Sequence, residues 1–379
     1  MIVTSSMSIN YNIEVSPTFI DEDIINKLQE RLLKNIGKSA VSVDNFQQSI
    51  SALTGSPEVL AVSSGTAALH LALLALGIRK GDHIACSTFT FVASVNAICY
   101  VNAHPVFIDS EISTGNMCPE LLRKAVVEGI KSGNRLKAVI LVHAYGFPAQ
   151  IEEIINICQE YEIPVIEDAA SALGSTYKHK ALGTFGTIGI LSFNYNKIIT
   201  TTGGGALLTN NQEIKEKATY YSNQAKSWQN GVIHRDVGYN YKLSGMAAEL
   251  GFLQMPQLQQ KVALKRNVFS RYKSELNNHE DIKFLEEPVH FFSNRWITTM
   301  LCKEIHLKDR IKDTLLKNNI EVRDLWKPMH KQPVFSSCHA YNNGYAEIFY
   351  NTGLCLPSGI DLKKSDQERI IDIVLSNFK

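Results

Sequence analysis

The sequence predicts an α/β protein, with a large and mostly parallel sheet covered by helices on both faces and a smaller second domain after it. Short apolar strands alternate with helical segments from about residue 59 to residue 168, and each strand is apolar along its whole length. Continuous apolar runs of this kind are typical of parallel strands that are buried on both faces. The alternation fades after Tyr241, so we expect the second domain to begin near residue 250.

An extended arm and two helices precede the sheet. We expect an N-terminal arm over residues 1–20, a large domain over 21–249 and a small α+β domain over 250–379. An amphipathic pattern predicts a helix from Asp21 to Leu33 with Asp21 as its cap. A loop over residues 35–39 and a helix from about Val43 to Leu53 follow.

The sheet itself begins at Val59, and its strands take turns with helices. The predicted strands cover residues 59–62, 82–86, 104–109, 138–142, 163–168, 187–191 and 206–209, and a turn of small residues follows the first of them. The predicted helices among them cover residues 65–76, 91–100, 119–129 and 151–161. The last part of the chain predicts a long helix at 246–272, strands within 282–301, a helix at 308–319 and a terminal helix at 366–376.

The composition is that of a globular protein with a large core, with 45% hydrophobic and 20% charged residues. The net charge is +1 and the basic residues are scattered, which argues against nucleic acid or an anionic membrane as a partner. No apolar run reaches the ~18 residues of a membrane span, and the N-terminus lacks the pattern of a signal peptide. Seven dispersed cysteines without Cys-x-x-Cys spacing predict reduced thiols in a cytoplasmic protein, with neither a disulfide framework nor a metal site.

Lys197 is the first candidate for chemistry. It follows the apolar strand 187–191 and precedes three glycines, 203–205, that lead into the next strand. A lysine amine in apolar surroundings loses hydration, which lowers its pKa and leaves a nucleophile for a carbonyl group. A surface lysine beside a glycine hairpin is the alternative on this stretch alone. A nicotinamide-binding loop is disfavoured, because the Gly-x-Gly-x-x-Gly spacing before a helix is absent.

Other residues add the groups that pyridoxal 5'-phosphate requires. The helix that opens at Gly65-Thr66 offers backbone N–H groups to a phosphate, and the Ser192 hydroxyl could join them. Asp168 ends a strand and could keep the pyridine nitrogen protonated, while Phe91 could lie against the ring. Parallel sheets collect ligands at the carboxyl ends of their strands, where Asp168 and the Gly65 turn are expected. These residues predict a pyridoxal phosphate site in which Lys197 and Asp168 are catalytic.

The same segments resemble the DegT/DnrJ/EryC1/StrS sugar aminotransferases, a family of fold-type I pyridoxal phosphate enzymes, over nearly the whole chain. The residues that carry the resemblance lie at 63–69 (the phosphate turn), 167–174 (the aspartate motif), 192–197 (the lysine motif) and 238–244. The last segment implies that Asn240 reaches the cofactor phosphate of a neighbouring subunit, and hence a homodimer with shared sites. The resemblance implies that Ser171 contacts the cofactor ring or the substrate. Many relatives carry Gln, His or Glu at this position.

A narrower likeness is to the transaminases that make UDP-N-acetylbacillosamine. It rests on residues 196–205, 293–298, 323–330 and 356–359, and on the absence of the glutamate that most family members carry among the glycines after the lysine. The resemblance implies transfer of an amino group, from L-glutamate, to the C4 ketone of a UDP-linked 4-keto-6-deoxy-N-acetylhexosamine. Because the C4 ketone must reach the cofactor, we expect the nucleotide at the mouth of the site, where it could meet Asn35, Ile36, Gly37, Trp326 and His330. A structural role for His330 is the alternative.

Three other functions stay open from the sequence. A GDP-linked 4-keto-6-deoxymannose could be the acceptor, as in perosamine synthases. A pyridoxamine-dependent sugar dehydratase is disfavoured by Lys197, because relatives with that activity carry histidine there. A regulator without catalysis is disfavoured by the intact pair of Lys197 and Asp168, and no DNA-binding extension is visible.

Overall fold

The computed structural model describes residues 11–35, 39–227 and 231–378. Its helices are α1 Glu22–Asn35, α2 Ser39–Thr54, α3 Gly65–Ala75, α4 Ala93–Tyr100, α5 Pro119–Ser132, α6 Ile151–Glu160, α7 Gln212–Ser222, α8 Gly245–Gln254, α9 Leu258–Leu276, α10 Ile305–Lys317, α11 Tyr345–Thr352 and α12 Lys364–Ser376.

The strands alternate with these helices in the first half of the chain and are shorter in the second. They are β1 Glu58–Val62, β2 His83–Ser87, β3 His104–Ile108, β4 Leu136–Val142, β5 Val165–Asp168, β6 Thr176–Tyr177, β7 Lys180–Ala181, β8 Ile188–Ser192, β9 Gly205–Thr209, β10 Lys226–Ser227, β11 Ile233–His234, β12 Ile282–Lys283, β13 Phe291–Phe292, β14 Thr298–Cys302, β15 Arg323–Asp324, β16 Ala340–Tyr341 and β17 Gly353–Leu356.

The large sheet has eight strands in the order β1-β9-β8-β5-β4-β2-β3-β16. Strands β8, β5, β4, β2, β3 and β16 are parallel, and β9 pairs antiparallel with both β8 and β1. The prediction of a mostly parallel sheet is therefore confirmed. The chain segments that follow β1, β4, β5 and β8 lie at the carboxyl edge of this sheet.

Helices cover both faces of this sheet, because alternate residues of each strand enter different cores. Val139 and Leu141 of β4 pack in a cluster that also holds buried residues of α2, α5, α6 and α8. Ala138 and Ile140 pack in another cluster, with buried residues of α3, α4 and α7. Burial of both faces explains why these strands lack polar alternation.

A second antiparallel sheet, β12-β14-β17-β15, lies in the last part of the chain. It packs with α9, α10 and α12 in a core that includes Phe269, Met300, Ile311, Leu354 and Ile370. The boundary expected near residue 250 falls within α8. Strand β16 nevertheless returns to the large sheet and extends it beside β3.

The helix predicted over 246–272 differs in the structure, where α8 and α9 are separated by a 3₁₀ turn over Met255–Gln257. Pro256 explains the break, because it has no N–H for the carbonyl of Phe252 and its ring crowds the preceding turn. Among the residues of the three described ranges, no helix has the length and apolar character needed to cross a membrane.

Candidate active site

A cavity of about 360 Å³ lies at the carboxyl edge of the large sheet. Strands β1, β5 and β8 end beside it. Most residues that the sequence predicts for the site line this one cavity: Gly65, Thr66, Phe91, Asp168, Ser171, Ser192, Lys197 and Trp326. The topology brings them together because parallel strands carry their following loops to the same edge of a sheet.

The remaining predicted residues lie elsewhere. Asn240 is exposed and does not line the cavity of this subunit. His330 also lies outside the lining, with its Nδ1 2.7 Å from the Thr88 hydroxyl and its Nε2 3.4 Å from Glu347. Asn35 is the last residue of α1, and Ile36 and Gly37 lie outside the described residues.

Lys197 reaches the cavity from the turn between β8 and β9. Its Nζ donates a hydrogen bond of 2.8 Å to the hydroxyl of Ser171. Burial lowers the pKa of the Lys197 amine to about 7, although the nearby Asp168 carboxylate acts in the opposite direction. A fraction of the amine is therefore neutral, and hence nucleophilic, near neutral pH.

Asp168 is held at the end of β5 and is only 6% exposed. Its Oδ2 accepts a hydrogen bond of 2.6 Å from the hydroxyl of Ser94 in α4, and its Oδ1 accepts one of 3.1 Å from the N–H of Ala170. Two donors therefore fix the orientation of a buried carboxylate. Nothing in the sequence singles out Ser94, which is a serine within a mostly apolar helix.

His143 and Glu167 form a buried hydrogen-bonded pair, and Glu167 lies in β5 next to Asp168. The Nδ1 of His143 accepts from the N–H of Ala149, so its Nε2 carries the proton and donates to Glu167 over 3.1 Å. Burial by itself raises the pKa of Glu167, but hydrogen bonds from His143, Gly186 and Gly183 outweigh it and hold that pKa below its ordinary value. His143 is a buried, hydrogen-bonded residue, and it also lines the cavity.

The start of α3 forms the end of the cavity that suits an anion. Ser64 caps the helix by accepting from the N–H of Ala67 over 3.0 Å, and the N–H groups of Gly65 and Thr66 precede the first intrahelical bonds. A Cβ added to Gly205 would lie 2.4 Å from the carbonyl carbon of Ser64. Glycine at 205 therefore allows β9 to pass directly against the helix start.

Tyr145, Trp296 and Trp326 form an aromatic wall of the same cavity. The rings of Tyr145 and Trp326 stack with centroids 4.1 Å apart, and those of Tyr145 and Trp296 lie 6.4 Å apart. Only Trp326 was predicted for the site. Tyr145 and Trp296 come from distant parts of the chain, and position in the sequence does not distinguish them from core aromatics.

The residues of this cavity fit pyridoxal phosphate. It has a helix start for a phosphate, a buried carboxylate for a pyridine nitrogen and an amine of lowered pKa for an aldehyde. The side chain of Phe91 is 58% exposed, so its face is free to meet a planar ring. Among the described residues, no cluster of His, Cys, Asp and Glu has the geometry of a metal site.

Comparison with known proteins agrees with this chemistry. The model of the DegT/DnrJ/EryC1/StrS aminotransferase family matches residues 18–375. EpsN of Bacillus subtilis, to which pyridoxal phosphate-dependent aminotransferase activity is assigned, is 42% identical over 89% of this chain and 88% of its own. A GDP-perosamine synthase of Escherichia coli O157:H7 is 34% identical over 78% of this chain and 79% of its own.

Two further comparisons extend this result. A UDP-4-amino-4,6-dideoxy-N-acetyl-beta-L-altrosamine transaminase of Campylobacter jejuni is 29% identical over 94% of this chain and 95% of its own. The crystal structure of a DegT/DnrJ/EryC1/StrS aminotransferase from Brucella abortus superposes with a TM-score of 0.88 at 25% identity, over 94% of this chain and 95% of the other. Both matches span the large sheet and the second sheet together.

Proposed function

The chain belongs to the DegT/DnrJ/EryC1/StrS aminotransferase family, and from that premise we propose that it aminates the C4 ketone of a UDP-linked 4-keto-6-deoxy-N-acetylhexosamine. Membership makes it a pyridoxal phosphate-dependent sugar aminotransferase. The acceptor sugar, L-glutamate as the donor and the role of each residue are the proposal. Cytoplasmic location stays a prediction from the sequence.

One observation carries the proposal: Lys197, Asp168 and the start of α3 line a single cavity, which brings together the groups that the cofactor needs. Bound pyridoxal phosphate acts as an electron sink and carries the amino group from the donor to the acceptor. Lys197 anchors the cofactor through its amine. When that amine is free, its pKa of about 7 suits it to take a proton from the substrate carbon and to return one.

The other residues bind and orient. Asp168 holds a proton on the pyridine nitrogen, and its hydrogen bonds from Ser94 and Ala170 keep its carboxylate in place. The N–H groups at Gly65 and Thr66 and the hydroxyl of Ser192 hold the phosphate. The aromatic wall keeps water away from the Lys197 amine.

We propose that the active unit is a homodimer. Asn240 is exposed on its own subunit and lies outside that subunit's cavity, as a residue that serves a neighbouring subunit would. An isolated antiparallel β-bridge to Asn223 holds the backbone of Asn240. By the family resemblance, Asn240 of each subunit reaches the cofactor phosphate of the other.

We propose a UDP-linked acceptor because the segment 323–330 resembles that of the bacillosamine-forming transaminases. Arg323 and Trp326 of this segment line the cavity, so it is placed to meet the sugar or the diphosphate. A GDP-linked 4-keto-6-deoxymannose is the second candidate, because the GDP-perosamine synthase relative has higher identity than the UDP-sugar transaminase relative.

A competition assay tests this choice. The enzyme receives both keto sugars and glutamate, and the amino sugars are followed by mass. A site with hydrogen bonds for an acetamido group loses roughly 1–3 kcal/mol for each polar group left buried and unpaired. We therefore expect kcat/KM for the UDP-linked sugar to exceed that for the GDP-linked sugar by about 5- to 150-fold for each such group. Equal or greater amination of the GDP-linked sugar would replace the first candidate with the second. A deoxygenated product that retains no donor nitrogen would instead indicate a dehydratase.

A further inference from the structure

Trp296 touches both the amine of Lys197 and the backbone beside it. The Nζ of Lys197 lies 3.8 Å from the centroid of the Trp296 ring. The indole Nε1 donates a hydrogen bond of 2.7 Å to the carbonyl of Asn196. One side chain therefore contacts the end of the lysine and the peptide group that precedes its Cα.

The Trp296 ring is itself held from two sides. It is 5% exposed and lies nearly parallel to Tyr145, with 21° between the ring planes. Its own backbone N–H donates to Oδ1 of Asn294 over 2.9 Å. A ring fixed at its backbone, its edge and its face offers a rigid surface to a flexible lysine.

Asn294 extends the same support to the other end of the lysine hydrogen bond. Its Nδ2 donates to the carbonyls of Ser171 and Leu173, each over 2.9 Å, and Ser171 in turn accepts from Lys197. The segment 293–296 therefore holds the acceptor of this hydrogen bond through Asn294 and the approach of its donor through Trp296.

The turn of this segment is fixed by Arg295. Its φ of 50° is in the left-handed region, and its N–H donates to the Ser293 hydroxyl over 3.1 Å. Its buried guanidinium lies 3.7 Å from the centroid of Phe269 in α9. The conformation that directs Trp296 into the cavity is therefore anchored in the core of the second sheet.

We propose that Trp296 is a positioning residue that holds the free Lys197 amine between the indole face and the Ser171 hydroxyl, ready to bond the cofactor. This inference rests on the proposed role of Lys197. Attachment forms a carbon–nitrogen double bond between Nζ and the aldehyde carbon, and the aldehyde oxygen leaves as water with the two amine protons. Trp296 takes no part in bond making. It restricts a long side chain that would otherwise sample many rotamers, and its face attracts the amine when protonated.

The test follows capture of pyridoxal phosphate by the full-length apoprotein, using the visible absorbance of the lysine-bound cofactor in a stopped-flow instrument. The dependence of the rate on cofactor concentration gives a half-saturation constant for the initial complex and a limiting first-order rate. For Trp296→Leu we expect the limiting rate to fall by about tenfold, because the indole face no longer restricts the position of the Lys197 amine. The half-saturation constant should stay within about twofold, because the helix start, Ser192 and Asp168 are unchanged.

Two further variants separate positioning from general structural damage. Trp296→Phe keeps a ring face but loses the hydrogen bond to Asn196, so it should recover most of the rate, to within about threefold of wild type. Phe292→Leu is the control, since Phe292 lies on β13 and packs against Arg266, away from the cavity lining. It should capture the cofactor at the wild-type rate.

The outcomes are distinct. A limiting rate at the wild-type value in Trp296→Leu overturns the inference. So does a fall in the limiting rate that is matched by a rise of similar size in the half-saturation constant in both Trp296 variants. Either result leaves the role of Lys197 intact. A visible band that still forms in Lys197→Ala overturns the proposed function instead.

Discussion

The hydroxyl of Ser94 lies 2.6 Å from Oδ2 of Asp168, which joins the first turn of α4 to the end of β5. The Ser94 hydroxyl also lies 2.9 Å from that of Thr90, so a short chain of hydroxyl groups leads to the buried carboxylate. This contact joins two segments that are 74 residues apart. Together with the N–H of Ala170, which donates to Oδ1, it restrains rotation of the Asp168 carboxylate.

Ser94→Ala should reduce the rate of amino transfer from glutamate. Loss of one hydrogen bond to a charged group costs roughly 1.5–3 kcal/mol, and a carboxylate that rotates freely would hold the pyridine nitrogen less well. We expect the rate constant of the half-reaction with glutamate to fall by about tenfold or more, measured by single-turnover absorbance. Ser49→Ala is the control, because the Ser49 hydroxyl donates within its own helix, to the carbonyl of Phe46 in α2. Equal rates in the two variants would remove Ser94 from the site.

Asp168→Asn should keep the fold and lose several orders of magnitude in turnover. A neutral amide does not stabilise a protonated pyridine nitrogen, so the cofactor loses its capacity to accept electrons. The amide oxygen can replace Oδ1 and accept from the N–H of Ala170, and the Ser94 hydroxyl can turn to accept from the amide NH2. We therefore expect little change in melting temperature. Steady-state kinetics beside a thermal melt checks both statements. A mild kinetic effect would show that Asp168 does not hold the nitrogen.

The capture of pyridoxal phosphate by the apoprotein should depend on pH around neutrality. The neutral amine is the nucleophile, and burial lowers the pKa of Lys197 to about 7. The rate should therefore rise with pH up to about 7 and then level off, whereas an ordinary lysine would keep gaining rate toward pH ~10. Lys197→Ala should give no visible band and no turnover while it still binds pyridoxamine phosphate. A rate that climbs steadily through pH ~9 would contradict the lowered pKa.

Gly205→Ala should weaken cofactor binding and lower the melting temperature. Its Cβ would lie 2.4 Å from the carbonyl carbon of Ser64 and 2.5 Å from the N of Gly65, both backbone atoms that cannot rotate away. The helix start must then shift, and we expect cofactor affinity to fall by about tenfold or more in an equilibrium titration. Gly203→Ala is a matched control, because its Cβ would meet nothing within 4 Å and its φ is not positive. If the two variants bind alike, the close approach does not shape the phosphate end.

Mixing two inactive variants, Lys197→Ala and Asn240→Ala, should restore activity. In a mixed dimer, the site with an intact Lys197 receives an intact Asn240 from the other subunit. Random pairing makes half of the dimers mixed with one good site each, so about a quarter of wild-type activity is the upper limit. The assay is run after subunit exchange, with the oligomeric state checked by sedimentation. No recovery after proven exchange, or a fully active monomer, would refute the shared site.

Much of the fold was accessible from the sequence because it depends on local pattern. Continuous apolar runs predicted strands buried on both faces, and strand ends placed Asp168 and the Gly65 turn at the carboxyl edge. The lowered pKa of Lys197 was likewise expected from its apolar approach. These properties follow from residues near each other in the chain.

Tertiary structure decided what depends on distant segments. Tyr145 and Trp296 reach the cavity from the loop after β4 and from the turn before β14. Ser94 of α4 contacts Asp168 from the buried side, and nothing local marks any of the three as a site residue. Tertiary packing also placed His330 against Thr88, outside the cavity lining. The physical reason is that a side chain's partners are chosen by long-range packing, whereas strand and helix patterns are set by which face of a short segment is buried.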